Sequence, residues 1–221
     1  MSIKKVCTAQ EAVKVVKEGD SLMIGGFLAG GVPNILVNAL NETTAGNLTV
    51  ISTDTGVAGS PSHELMKSGR VKKVYASYIG ANPETGRLYI TGEADIELVP
   101  QGTLAERIRS GGAGLGGFLT PTGVGTIIEK GKQKITIDDK VYLLELPLKA
   151  HVALIKAHIA DEVGNLVITG SSRNFNVVMA SAADYVIVEV DKLVKTGEIC
   201  PNDITVPGIF VNAIVVKEEI S

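Results

Sequence analysis

The sequence predicts an α/β fold, an open and mostly parallel sheet flanked by helices, with one β-hairpin excursion. Three observations carry that expectation. Short apolar runs alternate with segments of helical periodicity along the chain, the order produced when parallel strands are joined by helices. The helical segments carry their own start and stop signals, with T-x-x-E boxes or Pro at the first turn and Gly at the end. A glycine-rich turn stands between the first strand candidate and the helix after it.

The first helix opens with Thr8 and Glu11 as a capping box, continues through Ala9, Ala12, Val13, Val15 and Val16, and is closed by Gly19. Residues 21–24 then read as a buried strand, 25–32 as a glycine loop and 33–40 as a helix with Pro33 in its first turn. The pattern recurs in a strand at 48–52, a helix at 61–68 stopped by Gly69, and a strand at 71–77. In such a sheet the ligand loops gather at the carboxyl ends of the strands. Residues 96–99 form the next strand candidate, and Thr103 with Glu106 makes a second capping box opening a helix at 104–109, just after Gln101 and Gly102. A long glycine-rich loop is expected over 111–126. Segments 133–137 and 141–145 then flank Asp138-Asp139-Lys140 as a hairpin. Strands at 151–157 and 166–169, a helix at 174–183, a strand at 185–190 and a closing strand near 209–217 complete the chain. With no repeat or linker in view, residues 1–221 are expected to form a single domain.

Composition narrows the functional classes. An apolar share of 45% against 20% charged residues belongs to a packed protein and not a disordered one. Aromatics are only 4% and Trp is absent, whereas Gly reaches 25 residues, so backbone and small side chains must make much of the close packing and ligand contact. A net charge of −3, scattered along the chain, leaves no basic stripe for a nucleic acid. Cys7 and Cys200 lack the spacing of a disulfide framework or a metal site, and Lys4 and Lys5 are followed by no apolar secretion segment, so a cytoplasmic setting is expected. Residues 21–40 carry no charge and place Gly26 and Gly30 at GxxxG spacing, yet Gly25, Gly31, Pro33, Asn34 and Asn38 would break a membrane helix. No membrane span is expected.

Three segments are candidates for chemistry. GGFLAGGVP, from Gly25 to Pro33, lets backbone approach a ligand, and the helix behind it would turn free N–H groups toward a phosphate or carboxylate; the same glycines equally suit a turn needing positive φ. It is neither a Walker loop nor a dinucleotide fingerprint. GGAGLGGFLTPTGVGT satisfies G-x-G-x-x-G at Gly112, Gly114 and Gly117. It follows a helix and starts none, which excludes a nicotinamide or flavin site. That stretch is either a cover over a pocket, with Phe118 as its large apolar contact, or a surface excursion. In VPQGTLAERIR the carboxamide of Gln101 can donate to a thioester or carboxylate oxygen without titrating, or it is a simple loop glutamine. His63, His151 and His158 sit in no Ser or Cys arrangement. Asp138, Asp139, Asp161 and Glu162 fall in polar turns where acids are solvated.

Taken in order, SLMIGGFLAGGVP, GANPETGRL, VPQGTLAERIRSGGAG, FLTPTGVGT and SSRNFN resemble the alpha subunit of class I CoA-transferases, and the match spans nearly the whole chain. The resemblance implies the family I CoA-transferase fold, which is similar to that of phosphosugar isomerases. It also implies a hetero-oligomer with a beta subunit, expected as α2β2, and no metal or dissociable cofactor, coenzyme A being a substrate. It further implies a ping-pong transfer in which a glutamate of a Ser-Glu-Asn-Gly turn attacks the thioester. No glutamate of this chain has that setting, so the nucleophile is expected from the beta subunit. On the same resemblance Gly25, Gly26, Phe27, Leu28, Ala29, Gly30 and Gly31 are the CoA-contact loop, Gln101 meets the substrate carboxylate or oxyanion, and Phe118 closes over the acyl group. Asp54 belongs to the substrate pocket, where single-chain relatives carry paired asparagines. The rival readings are a sugar-phosphate isomerase, which would need its own acid-base group here, and a ligand-sensing regulator, which would add a basic helix-turn-helix.

Overall fold

The computed structural model describes residues 2–217. The elements in chain order are β1 (Lys5–Val6), α1 (Ala9–Ala12), β2 (Ser21–Ile24), α2 (Asn34–Asn41), β3 (Leu48–Ser52), α3 (Pro61–Lys67), β4 (Val71–Ala76), α4 (Pro83–Thr91), β5 (Asp95–Leu98) and α5 (Gln101–Gly112). They continue with β6 (Phe118–Thr120), β7 (Lys134–Ile137), β8 (Lys140–Glu145), β9 (Ala150–Asp161), β10 (Leu166–Val167), α6 (Asn174–Met179), β11 (Ala183–Val194) and β12 (Ala213–Val216).

The main sheet runs β1-β12-β11-β9-β2-β3-β4-β5 with every neighbour parallel, and β10 adds to β9 antiparallel. From β2 the chain winds outward through β3, β4 and β5. It then returns to the other side of β2 with β9 and winds the opposite way. The strand order therefore reverses between β2 and β9, and the crevice at the carboxyl ends of those two strands is where open α/β sheets take ligands.

The two-residue alternation of strand side chains divides the core. Leu22, Ile24, Val50 and Leu154 pack on one face under Leu36, Leu40, Leu65 and Leu88 of α2, α3 and α4. Met23, Ile51, Ala153 and Ile155 pack on the other under Leu104, Ile108 and Met179 of α5 and α6. A second, antiparallel sheet, β6-β8-β7, carries the predicted hairpin. Asp138 (φ +49°) and Asp139 (φ +60°) form its two-residue turn, the mirror-image type that suits strand twist.

The capping box of α1 is present, with Thr8 Oγ1 accepting from Glu11 N–H at 3.2 Å and the Glu11 carboxylate accepting from Thr8 N–H at 3.2 Å. The second expected box is not. Pro100 (φ −51°) starts α5 directly, so Gln101 is its first residue and Thr103 is a buried helical side chain, not a cap. The same helix extends to Gly112 and so removes the start of the expected loop at 111–126, while β6 takes its middle. Within that helix position 111 is Gly because a Cβ there would stand 2.0 Å from the Leu148 carbonyl oxygen, so it serves close packing and not a turn. Neither β1 nor α4 was expected. α4 is capped by Asn82, whose Oδ1 accepts from Glu84 and Thr85 N–H at 3.1 and 3.3 Å. α6 ends at Met179 and not at 183, because β11 begins at Ala183 and runs past the expected 190 to Val194. Asp161, expected in solvent, is buried and accepts from the N–H groups of Val163 and Asn165, tying the β9–β10 turn.

Asn82 also donates from Nδ2 to the Thr55 carbonyl at 2.7 Å. Asn82→Ala removes a helix cap and orphans a carbonyl, and it is expected to lower stability by about 2–3 kcal/mol in urea unfolding.

Candidate functional site

β2 leads straight into the glycine loop. Gly25 N–H donates to the Leu154 carbonyl at 2.9 Å and so extends the β2–β9 ladder by one rung. Gly26 then turns at φ +117°, where a Cβ would lie 2.5 Å from Val32 Cγ2. Phe27 and Gly30 exchange backbone hydrogen bonds at 3.0 and 2.9 Å, leaving Leu28 and Ala29 as the tip. Leu28 holds φ +50°, a strained value for a side chain of its size. Asp54, just past β3, over-determines it: Oδ2 accepts from Leu28 N–H at 2.7 Å while Oδ1 accepts from Gly56 N–H at 2.9 Å. The space beneath the tip is only about 10 Å³, lined by Gly25, Gly26, Val32 and Asp54, too small for any acyl group. The outer surface of the loop is open. There Phe27, 44% exposed, and Tyr78, 50% exposed and bridged by backbone to Asp54, face solvent.

The second half of the loop is held from the far side of the sheet crevice. Asn176, fully buried at the start of α6, donates from Nδ2 to the carbonyls of Gly31 at 2.9 Å and Ser172 at 3.0 Å, and accepts at Oδ1 from Lys156 N–H at 2.9 Å. Asn174 Nδ2 donates to the Gly30 carbonyl at 3.1 Å. The segment SSRNFN is thus the counterpart of the glycine loop. That contact is why Gly25 and Gly31 have no side chain: a Cβ would stand 1.9 Å from Asn176 Oδ1 in the first case and 2.9 Å from Asn176 Nδ2 in the second.

The N-terminus of α2, expected to face a ligand with free N–H groups, is occupied. Glu189 of β11, buried in the sheet, accepts from Ile35 N–H at 2.8 Å and Leu36 N–H at 3.3 Å. Lys156, its register partner on β9, donates from Nζ to Glu189 at 3.1 Å and to Asp191 at 2.6 Å. A carboxylate of the protein itself fills the anion position that the helix dipole creates. Sequence reasoning missed Glu189 and Lys156. The available signal was a charged residue inside each of the apolar runs VALIKA and VIVEV.

Gln101 is exposed and lines a cleft of about 260 Å³ between α5 and α6, with Asn174, Phe175, Val178 and Arg109. Asn174 is the link between that cleft and the loop, since it also holds Gly30. Arg107 anchors α5 from behind: Nη1 meets Glu97 Oε1 at 2.8 Å, Nε donates to the Leu146 carbonyl at 2.9 Å, and the guanidinium stands 5.3 Å from the Tyr75 ring centre. Phe118 is half-buried in β6 opposite Glu145, and it lines neither this cleft nor the space under the tip. The structure therefore brings the glycine loop, Asp54 and Gln101 to one edge and leaves Phe118 apart from them. His63 bonds Asn82, His151 bonds Ser21 and His158 accepts from Thr169 N–H, so each histidine has a structural partner. Among the described residues no group of three or more His, Cys, Asp or Glu could hold a metal, and no helix is long and apolar enough to cross a membrane.

Fold and site together define an open α/β protein with a glycine-rich loop at its topological switch point. Residues 6–217 match the model of the family described as Coenzyme A transferase, and the chain belongs to that family. It is 53% identical over 215 residues to the acetate CoA-transferase subunit alpha of Escherichia coli strain K12, covering 97% of this chain and 98% of the relative. It is 51% identical over 199 residues to the acetoacetyl-CoA:acetate/butyrate CoA transferase alpha subunit of Clostridium acetobutylicum, covering 90% and 91%. Among solved structures, an acyl-CoA transferase of E. coli O157:H7 in thioester complex with CoA superposes with a TM-score of 0.89 at 24% identity. That match covers 97% of this chain and 47% of the longer one, so the chain spans about half of that polypeptide.

Gly25→Ala is expected to cost about 1–3 kcal/mol of unfolding free energy by forcing Asn176 off its partners. Gly86→Ala, in α4 with open space around it, is expected to add about 0.5–1 kcal/mol in the same denaturant titration.

Proposed function

We propose that this chain is the alpha subunit of a CoA-transferase that moves coenzyme A from a short-chain acyl-CoA, acetyl-CoA or similar, to a short-chain or 3-oxo acid such as acetate, butyrate or acetoacetate. One observation carries the reading. The glycine loop is held by SSRNFN, whose Asn174 shares a cleft with Gln101, and among the described residues the carboxylates bonded to the loop and to the start of α2 are already engaged: Asp54 by Leu28 and Gly56, and Glu189 by α2. The likeness to named alpha subunits supports a partner subunit, and in this reading a beta subunit completes the site in an α2β2 assembly.

In this proposal a glutamate of the beta subunit attacks the thioester carbonyl. The C–S bond breaks to give an acyl-glutamyl anhydride and the CoA thiolate, and the thiolate then attacks the glutamyl carbonyl and releases the free acid. Running the two steps backward with the acceptor acid transfers the CoA. Gln101 donates a hydrogen bond to the oxygen on which charge develops, and Gly25 to Gly31 with Phe27 and Leu28 form the floor under the pantetheine and thioester. Asp54 acts on the pocket by fixing the loop tip. No metal or dissociable cofactor takes part, coenzyme A being a substrate. A cytoplasmic setting fits the unpaired Cys7 and Cys200.

The purified chain is expected to show no transfer between acetyl-CoA and acetoacetate or butyrate, and to gain it on addition of the cognate beta subunit. Turnover by the lone chain overturns the division of labour. Gln101→Ala is expected to lower turnover of the complex by about ten- to a thousandfold with assembly intact by size-exclusion chromatography. Unchanged kinetics would remove Gln101 from the site.

A further inference from the structure

We propose that Glu189 is a positioning residue for the transfer reaction, fixing the rear arm of the glycine loop by the reach of its carboxylate to the first turn of α2. The inference rests on the CoA-transferase reading above and adds a residue about 150 positions away in sequence from the loop it sets.

The geometry is a closed circuit. The loop's rear arm, Gly30 to Pro33, runs directly into α2, whose preceding residue Pro33 offers no side-chain cap. Glu189 supplies the missing acceptor to Ile35 and Leu36 from a strand three places along the sheet from β3. Its partner Lys156 uses two different groups on the same assembly. The ammonium steadies Glu189, and the backbone N–H holds Asn176, which in turn holds the Gly31 carbonyl. The front of the arm therefore hangs from Lys156 through Asn176, and its back hangs from Lys156 through Glu189.

A purely stabilising role does not account for the choice of residues. Buried ion pairs seldom outperform apolar side chains of the same volume, and the neighbours on both strands are Val, Ile, Leu and Ala. What an apolar pair cannot do is bond the two helix N–H groups at a defined height above the sheet. That height sets where Gly31 and Pro33 lie, and displacements of about 1 Å in groups that place a substrate cost rate far more than they cost stability.

The test separates reach from charge in the complex of this chain with its cognate beta subunit. Glu189→Asp keeps the charge and the Lys156 pairing but draws the carboxylate back by one carbon–carbon bond, about 1.5 Å. Glu189→Gln keeps the reach and loses the charge, with Lys156 retaining Asp191. Expected for the Asp variant is a fall in kcat/KM for acyl-CoA of about ten- to a hundredfold, with the melting temperature lowered by about 10 °C or less and subunit association intact. Amide exchange at Ile35 and Leu36 should quicken in the same variant, and Gln should recover most of both effects. Unchanged kcat/KM in the Asp variant, Asp exchange rates equal to wild type at those amides, or Gln failing as badly as Asp, overturns the proposal. A wild-type complex without CoA-transfer activity would sink the functional reading, and the catalytic role of Glu189 with it, while quickened exchange in the Asp variant would still show that Glu189 holds the start of α2.

Discussion

The carboxamide of Asn176 is the contact on which the rest of the site depends. It lies just past the carboxyl end of β2 and beside Lys156 in the middle of β9, where the winding of the sheet reverses, and besides a bond to Asn174 Oδ1 it makes three to backbone: two carbonyls and one N–H. A buried amide that satisfied joins three segments without adding charge, and leaving any one of its partners unmet would carry the full desolvation cost. Its position requires glycine at 25 and 31, since a methyl group at either would occupy its space. The glycine motif is in this sense an imprint of Asn176.

The front of the loop obeys a different logic. Leu28 sits in a left-handed conformation that a large side chain avoids, and it stays there because Asp54 captures its N–H while Gly56 holds the other carboxylate oxygen. Strain at the tip is thus supported by β3 and β4, and the rear arm by β9, β11 and α6. Each half of the sheet holds one side of the loop. An anion bound in the first turn of α2 would have to displace Glu189, so what the loop leaves open is glycine backbone and the apolar side chains at the tip.

Much of this architecture was legible in the chain. The runs at 21–24 and 48–52 were recognisable to the residue because apolar segments bounded by Gly, Asn and Ser admit few alternatives. The edge that holds the site followed from the alternation of strands and helices. The α5 start was misread because Thr103 and Glu106 imitate a capping box, although Pro100 three residues earlier already sets the helical φ. Gly111 and Gly112 look like a turn in sequence and are helix in space, since what they answer to is Leu148 and Ser181, far along the chain. Glu189 and Lys156 were passed over for a related reason. A charge on a strand reads as solvent-facing until the element packed over it is known, and nothing local in VIVEV announces α2.

The central pairing of the main sheet joins Leu22 to Val152 and Ile24 to Leu154, contacts spanning some 130 residues. During synthesis β2 can find β3 early, but its other edge stays open until the chain beyond residue 154 has left the ribosome. The nascent polypeptide therefore carries β2 with one edge unpaired for most of its translation, and the pairing at the switch point must wait for β9 before β11 and β12 can be added beyond it.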